Sequence, residues 1–544
     1  MLWYPQALQG YQRRLAGEAQ SHLAGIVGHW LPTPQRTRLR RSGARQRVFT
    51  PMTTFWNFLA QVLSPAQPCR EAVRQIQAAR RRRGKPAISA ATGAYCQARR
   101  KLPVALLQNV WPSIAEQLDQ GATPALRWLN LRVGIVDGTT LSMPDTAANQ
   151  GAWPQPASQK PGCGFPILKL VGLFALSTGA ICAVACGTLH NAEQTLFVQL
   201  WNALTTSFDL LLGDRHFGSY TNFAALQRCG LQGVFRLHQG RKVNWRMGRR
   251  LGKYDRVITW KKPVKLAWWL PVLIPESLTV RILRVCVPIP GFRTRVIFVS
   301  TTLLDPQLFP AEALADLYRR RWFVELYFRH IKTTMHMDVL RCRSPEMILR
   351  ELHMHLIAYN LIRALMLQAA LIHATELNRI SFKGTCDALR QWAPHLAFVA
   401  AQPWLYRRLL CDLFHTLAED LVPHRPNRSE PRAVKRRRKN YHLLTKPRQR
   451  YIGVRSHYLP IGIPIEQARG QVWHRPDGVD RYGEPRGRRR DKPCRPPPHP
   501  VPPESFHHGA GPTIVRRLFP SRRGGPGIVP MVRLSPSPRS PSRA

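Results

Sequence analysis

Acidic residues are scarce in this chain. Asp and Glu number 30 against 81 Lys and Arg in 544 residues, a formal net charge of +51. Spread over one folded surface, that excess would repel itself, so a polyanionic partner is expected and nucleic acid comes first. Paired cysteines are also lacking. The 11 Cys are odd in number and scattered, with no CxxC spacing, which argues against a disulfide framework and leaves reduced thiols. Cys182, Cys186 and His190 recur every four residues. The two cysteines lie in a strand-like run, though, where residues four apart stand too far separated to share an ion. The start, Met1-Leu-Trp-Tyr-Pro-Gln6, has no continuous apolar core, so no signal peptide is read there. No run approaches the ~18 apolar residues of a membrane span. The expectation is a cytoplasmic protein without a membrane partner. Its length allows roughly two to four domains.

With so few acids, those at the ends of apolar runs stand out. Residues 1–125 read as helical and basic. Phe55–Leu63 carries apolar residues at helical spacing, with Thr53 or Thr54 as its cap. Arg36–Arg47 and the run Arg80, Arg81, Arg82, Arg83 are read as phosphate contacts, a solvated helical bundle being the bland alternative. At Trp128 the pattern changes. Leu129–Val136 reads as a buried strand running into Asp137, with Gly138 letting the backbone turn immediately afterwards. Strands follow near Ile167–Ala175 and Ala180–Cys186, then a helix over Ala192–Ala203. Next comes a second apolar strand, Phe208–Gly213, ending on Asp214. A buried terminal acid is costly unless it is paired or holds a cation. Three strands, a helix and a strand, with acids ending the first and fourth strands, is the RNase H-like order. Those strands are neighbours in that fold, so Asp137 and Asp214 would share a cation.

A third acid lies in Tyr318–Lys332. Read as one helix at about 100° per residue, this stretch places Tyr318, Arg321, Glu325, Arg329 and Lys332 on one stripe. Phe323, Tyr327 and Ile331 fall opposite. A solvated charge stripe is the plain alternative. Against it stands a single carboxylate among three cations, more than neutralisation needs.

The spacing Tyr318, Arg321, Glu325, Lys332 resembles the Y-R-E-K signature of the insertion sequence 4 family of DDE transposases, all four letters matching. Asp214-Arg-His-Phe-Gly-Ser-Tyr220 resembles the family's second-Asp motif, with His216 and Phe217 departing from the commonest form. Phe49–Arg70 with Thr92–Leu102 is similar to the family's end-recognising N-terminal region. The resemblance spans residues 45–448. It implies cut-and-paste DNA transposition. Two divalent ions, Mg²⁺ with Mn²⁺ as a substitute, would be held by Asp137, Asp214 and Glu325. Tyr318, Arg321 and Lys332 would grip phosphates, and Trp322 would hold a displaced base. It also implies DNA as transposon ends and target, a dimer on paired ends, and association with the nucleoid.

The expected fold is α/β: an RNase H-like mixed sheet flanked by helices (126–347) with a β-strand insertion (232–302). A helical DNA-binding region (1–125) precedes it, and a helical region with a basic segment (348–448) follows. Trp245, Trp260, Trp268 and Trp269 of the insertion either pack or stack bases. His353 and His355, two apart, are read as structural. Residues 449–544, rich in proline and without apolar periodicity, read as a disordered basic tail. Two other functions fit the same residues. One is a nuclease that cuts without joining; the other is an inactive, transposase-derived DNA-binding protein.

Overall fold

A computed structural model of the chain describes residues 23–40, 47–66, 68–264, 274–286, 296–423 and 444–447. Trp268, Trp269, most of the basic run Arg432–Lys446 and the proline-rich tail lie outside the described residues.

Among the described residues, five helices of eight residues or more precede the sheet: α1 (Thr33–Arg40), α2 (Pro51–Leu63), α3 (Cys69–Arg82), α4 (Gly93–Lys101) and α5 (Val104–Gly121). The cap of α2 is Thr50, not Thr53 or Thr54. Its hydroxyl accepts the Thr53 N–H at 3.1 Å, and Pro51 in the first turn needs no acceptor. Thr53 and Thr54 are therefore inside the helix and buried with Phe55, Phe58 and Leu59.

The sheet follows: β1 (Val133–Ser142), β2 (Ile167–Ala175), β3 (Ile181–Thr188), β4 (Leu210–Gly213), β5 (Gln232–Arg236), β6 (Arg249–Gly252), β7 (Asp255–Lys261), β8 (Ser277–Cys286) and β9 (Val296–Thr301). Its spatial order is β3-β2-β1-β4-β5-β9-β8-β7-β6. The first five strands have the RNase H-like arrangement: β1 is antiparallel to β2, and β1, β4 and β5 run parallel. Parallel strands need crossovers. The β3-to-β4 crossover holds two short helices, α7 (Glu193–Val198) and α8 (Trp201–Ser207), where one was expected. Helix α6 (Ala147–Ala152) precedes β2, and α9 (Tyr220–Arg228) joins β4 to β5. Both sheet faces are covered, so Leu210, Leu211 and Leu212 are all fully buried.

Strand β5 pairs in parallel with β4 and antiparallel with β9, so the strands that follow it lengthen the same sheet. Trp260 is buried in the core with Arg241 stacked 4.1 Å above its ring, and Trp245 packs on Tyr254 and Phe298. Neither ring is a free stacking platform. Arg281, fully buried on β8, pairs with Asp255 on β7 at 2.8 Å and donates to the Phe309 carbonyl at 2.7 Å. That fork ties the added strands to the segment leading into the third acid.

Helices α10 (Ala311–Arg320) and α11 (Phe323–Arg329) follow, then α12 (Pro345–Ile372), α13 (Phe382–Phe398) and α14 (Pro403–Glu419). By length and composition α12 would be able to cross a membrane, contrary to the sequence reading that no run approaches that. Its most apolar window is 83% buried inside the protein, as in a core helix. Asn360 on α12 donates to the carbonyls of Trp111 (2.8 Å) and Ile181 (3.0 Å) and accepts the Ile181 N–H (2.9 Å). One buried amide thus locks α5, α12 and the edge of the sheet together.

His353 and His355 are buried on the same helix. Trp111 donates to His353 Nδ1 at 3.3 Å, and His355 is fully buried. Burial lowers their pKa values from 6.5 to about 4 and about 3. The unfolded chain therefore takes up more protons than the folded one as pH falls below about 6.5, and stability drops through that window. Each histidine contributes a slope of up to about 1.4 kcal/mol per pH unit there. Urea unfolding midpoints should fall between pH 7 and pH 4.5, and His355→Leu should flatten the slope. An unchanged slope would remove His355 from this account.

Candidate active site

Asp137 is not at the end of its strand. β1 continues through it to Ser142, with Asp137 opposite Gly172 and Gly138 opposite Val171. Gly138 makes no turn. A Cβ there would come within 2.7 Å of Glu193 Oε1, so the glycine is where the α7 carboxylate passes β1. The tight turn lies earlier, at Leu129 and Asn130, both at positive φ, between the bridged residues Trp128 and Leu131.

β1 pairs with β4 through Ile135 and Leu212. Asp137 and Asp214 each lie two residues beyond that pair, and Asp214 is close enough to act on the Asp137 carboxyl. Burial raises the Asp137 carboxyl to about 6, and Asp214 and Glu193 push in the same direction. The Gly138 N–H, donated to Asp137 Oδ1 at 2.8 Å, and Arg321 pull it back. Asp214 Oδ1 accepts the His216 N–H at 2.8 Å, which fixes the loop after β4.

The stretch carrying Glu325 is not one regular helix. Bonds to the third residue back tighten the chain at Arg321 and Trp322 (Arg321 N–H to Tyr318, Trp322 N–H to Arg319, both 3.1 Å). Helix α11 follows, then a wide π-helical turn, His330–Thr334. The expected sides hold in part: Tyr318, read as part of the polar stripe, is buried with the core. Tyr327 and Ile331 are buried and Phe323 packs on the core, while Arg321, Glu325 and Lys332 are only partly covered. Arg321 lies 2.6 Å from Glu325 and 3.7 Å from Asp137, linking the two acids. Tyr318 is buried beside Arg321. Burial raises its phenol to about 12, so it stays a proton donor. Lys332 Nζ donates to Thr139 Oγ1 on β1 at 3.0 Å. Beyond the π turn the chain bonds back to β1 through Ser142 and Leu340 (2.9 Å). The buried Glu351 carboxylate accepts the N–H groups of Arg341 and Cys342. The third acid is thus clamped to the strand bearing the first.

Of the other sequence-derived residues, Trp322 is 46% exposed and Arg329 is exposed. Arg81, Arg82 and Arg83 are exposed at the end of α3, and Arg80 donates to the Pro86 carbonyl at 3.2 Å. Glu193 and Thr139 were missed. The sequence signal for Glu193 is modest: an acid opening a helix directly after an apolar strand.

The acids offer hard oxygen donors suited to Mg²⁺ or Mn²⁺. Among the described residues no three His, Cys, Asp or Glu side chains converge on a point that would hold an ion as they stand. The Arg321 guanidinium lies between Asp137 and Glu325 and pairs with both.

A mixed sheet of this order defines a class when set beside known proteins: residues 128–361 match the transposase DDE domain family, whose members typically use a divalent metal. The chain is a DDE transposase by family, and it belongs to the insertion sequence 4 branch. It is 30% identical over 362 residues to transposase InsG for insertion sequence element IS4 of Escherichia coli (strain K12), covering 66% of this chain and 80% of that protein. A 46-residue stretch is 44% identical to the transposase for insertion sequence element IS421 of Escherichia coli, 8% of this chain and 12% of that one. Among solved structures, the piggyBac transposase synaptic complex with hairpin DNA aligns over 77% of this chain and 90% of that chain. Its TM-score is 0.37 and its identity 11%, too distant to carry an argument.

Proposed function

We propose that the chain cleaves DNA at the ends of an insertion sequence and joins those ends to target DNA, in a metal-dependent reaction carried by Asp137, Asp214 and Glu325. The supporting observation is the approach of two carboxylates, Asp137 and Glu325, to one guanidinium, with Asp214 near enough to act on the Asp137 carboxyl. Asp137 lies on β1, Asp214 directly follows the adjacent parallel strand β4, and Arg321 pairs with Glu325 and Asp137. Like charges brought together in a partly buried place call for a cation. Bound there, divalent metal would polarise the scissile phosphate and lower the proton affinity of the attacking water or 3′-hydroxyl.

The remaining work falls to side chains already placed. Asp137 and Glu325 orient one another through Arg321, whose guanidinium is also placed to turn to a phosphate oxygen. Lys332, steadied by Thr139, supplies a point charge to the strand being cut. Tyr318 donates from a phenol that burial keeps protonated. The exposed ring of Trp322 offers a face to an unstacked base. Arg80–Arg83 and the wider cationic excess supply sequence-independent grip. The active form on paired ends is a dimer, and the protein acts in the cytoplasm at the nucleoid.

The test is a strand-transfer assay with a donor carrying the element's own ends and Mg²⁺. Joined product supports the proposal. Cleavage without joining would make the protein a nuclease, and binding alone would make it an inactive descendant.

A further inference from the structure

We propose that the buried guanidinium of Arg363, with the Tyr327 hydroxyl and His330 Nδ1, forms a binding site for a small monovalent anion, a halide in kind, on the buried side of the helix that carries Glu325. Such a site is independent of the metal-dependent reading above.

Two arginines rank among the fully buried side chains, Arg281 and Arg363. Arg281 has its counter-ion, Asp255, at 2.8 Å. Arg363 has none among the described residues. Its Nε donates to the Thr178 carbonyl at 2.7 Å, and its Nη1 reaches the Met366 sulfur at 3.9 Å. Its Nη2 is buried without a hydrogen-bond partner. The Tyr327 ring centroid lies 5.3 Å from the guanidinium carbon, which supplies a π face but no full negative charge. A guanidinium stays protonated inside a protein, and holding it out of water without an opposite charge is strongly unfavourable. Water would bring hydrogen bonds but no charge. An anion brings both.

The neighbouring polar atoms are donors as well. The Tyr327 hydroxyl and His330 Nδ1 are buried and have no hydrogen-bond partner. Burial raises the Tyr327 phenol, so it keeps its proton to donate. Burial first and Arg363 second lower the His330 imidazole to about 3, so it is neutral and able to carry its one proton on Nδ1. The two residues stand at i and i+3 where α11 runs into the π turn, which puts them on one face.

Their places are fixed by packing. His330 lies flat on Phe382 of α13, ring centroids 4.4 Å apart and planes at 2°. Phe382 packs on Tyr359, whose hydroxyl donates to the Gly179 carbonyl at 2.6 Å. Gly179, at positive φ between β2 and β3, leaves the room the guanidinium takes, since a Cβ there would lie 2.5 Å from Nη2. One cation and two neutral donors, with no carboxylate among them, select an anion and reject a metal. A single positive charge and full burial favour a singly charged ion, whose dehydration costs least.

The test uses the full chain without DNA or metal. Melting is followed as gluconate is replaced by bromide at constant ionic strength, and crystals grown in bromide are measured at the bromine absorption edge. Bromide should raise the melting temperature saturably, with an anomalous peak within hydrogen-bond distance of Arg363 Nη2. Tyr327→Phe removes one donor, keeps the ring and should weaken bromide affinity about tenfold. Arg363→Met removes the charge and should abolish both the saturable rise and the peak. If Arg363→Met does not fold, Tyr327→Phe and the parent crystal decide. Absence of the peak in the parent, or a bromide response equal in parent and Tyr327→Phe, overturns the site.

Discussion

Asp137→Asn, Asp214→Asn and Glu325→Gln should each lower single-turnover DNA cleavage by about three orders of magnitude or more, at least matching the loss of one transition-state-stabilising donor. Binding to the element's ends should change little. Each substitution keeps the side-chain shape and removes one negative charge, so no phosphate-gripping cation is lost. For Asp137 the metal-free fold should even gain slightly. Burial and its acidic neighbours hold its carboxyl near 6, so at neutral pH the ionised form is costly to the folded state. The sign follows from linkage: a carboxyl raised on folding favours unfolding as pH rises above its ordinary range. Full Mg²⁺-dependent cleavage by any one variant would remove that residue from the site.

The second large effect concerns Arg321. Arg321→Ala should reduce cleavage or strand transfer by about a hundredfold while DNA affinity shifts only a few-fold, since dozens of other cations supply the bulk of binding. Two losses combine: the bridge holding Glu325 against Asp137 and a contact with the scissile strand. Changing Arg80–Arg83 together to Ala should do the reverse, giving weaker binding, a shallower salt dependence and near-normal chemistry at saturation. Single-turnover cleavage beside a salt titration of binding separates them. Identical behaviour of the two variants would dissolve the division into a catalytic helix and a docking region.

Much of this was legible in the residues because buried strands and acids announce themselves. Leu210–Gly213 has no polar residue, so the acid after it was conspicuous, and the strand order followed from counting elements. The helix carrying Glu325 was legible in its faces but not in its path. Periodicity assumes uniform turns, whereas the chain tightens at Arg321 and widens at His330–Thr334. Gly138 misled because a glycine after an acid usually signals a bend. Here it answers to Glu193, 55 positions away in sequence, and no local pattern encodes so distant a neighbour. Cap and core compete in the same way at Thr50 and Thr53: threonine suits both, and only packing chose.

The way the sheet is extended has a consequence for how this chain can change. β5 leaves the catalytic core and β9 returns to lie against it, while β6, β7 and β8 stack outward from β9. Departure and return are therefore neighbours whatever lies between them. Hairpins can be gained or lost at the outer rim, two strands at a time, without shifting the ground on which Asp214 and Glu325 stand. The number of residues separating these two acids is free to drift over evolutionary time, whereas their separation in space is not. Relatives should then differ most in length here, while the register of β1 against β4 stays fixed.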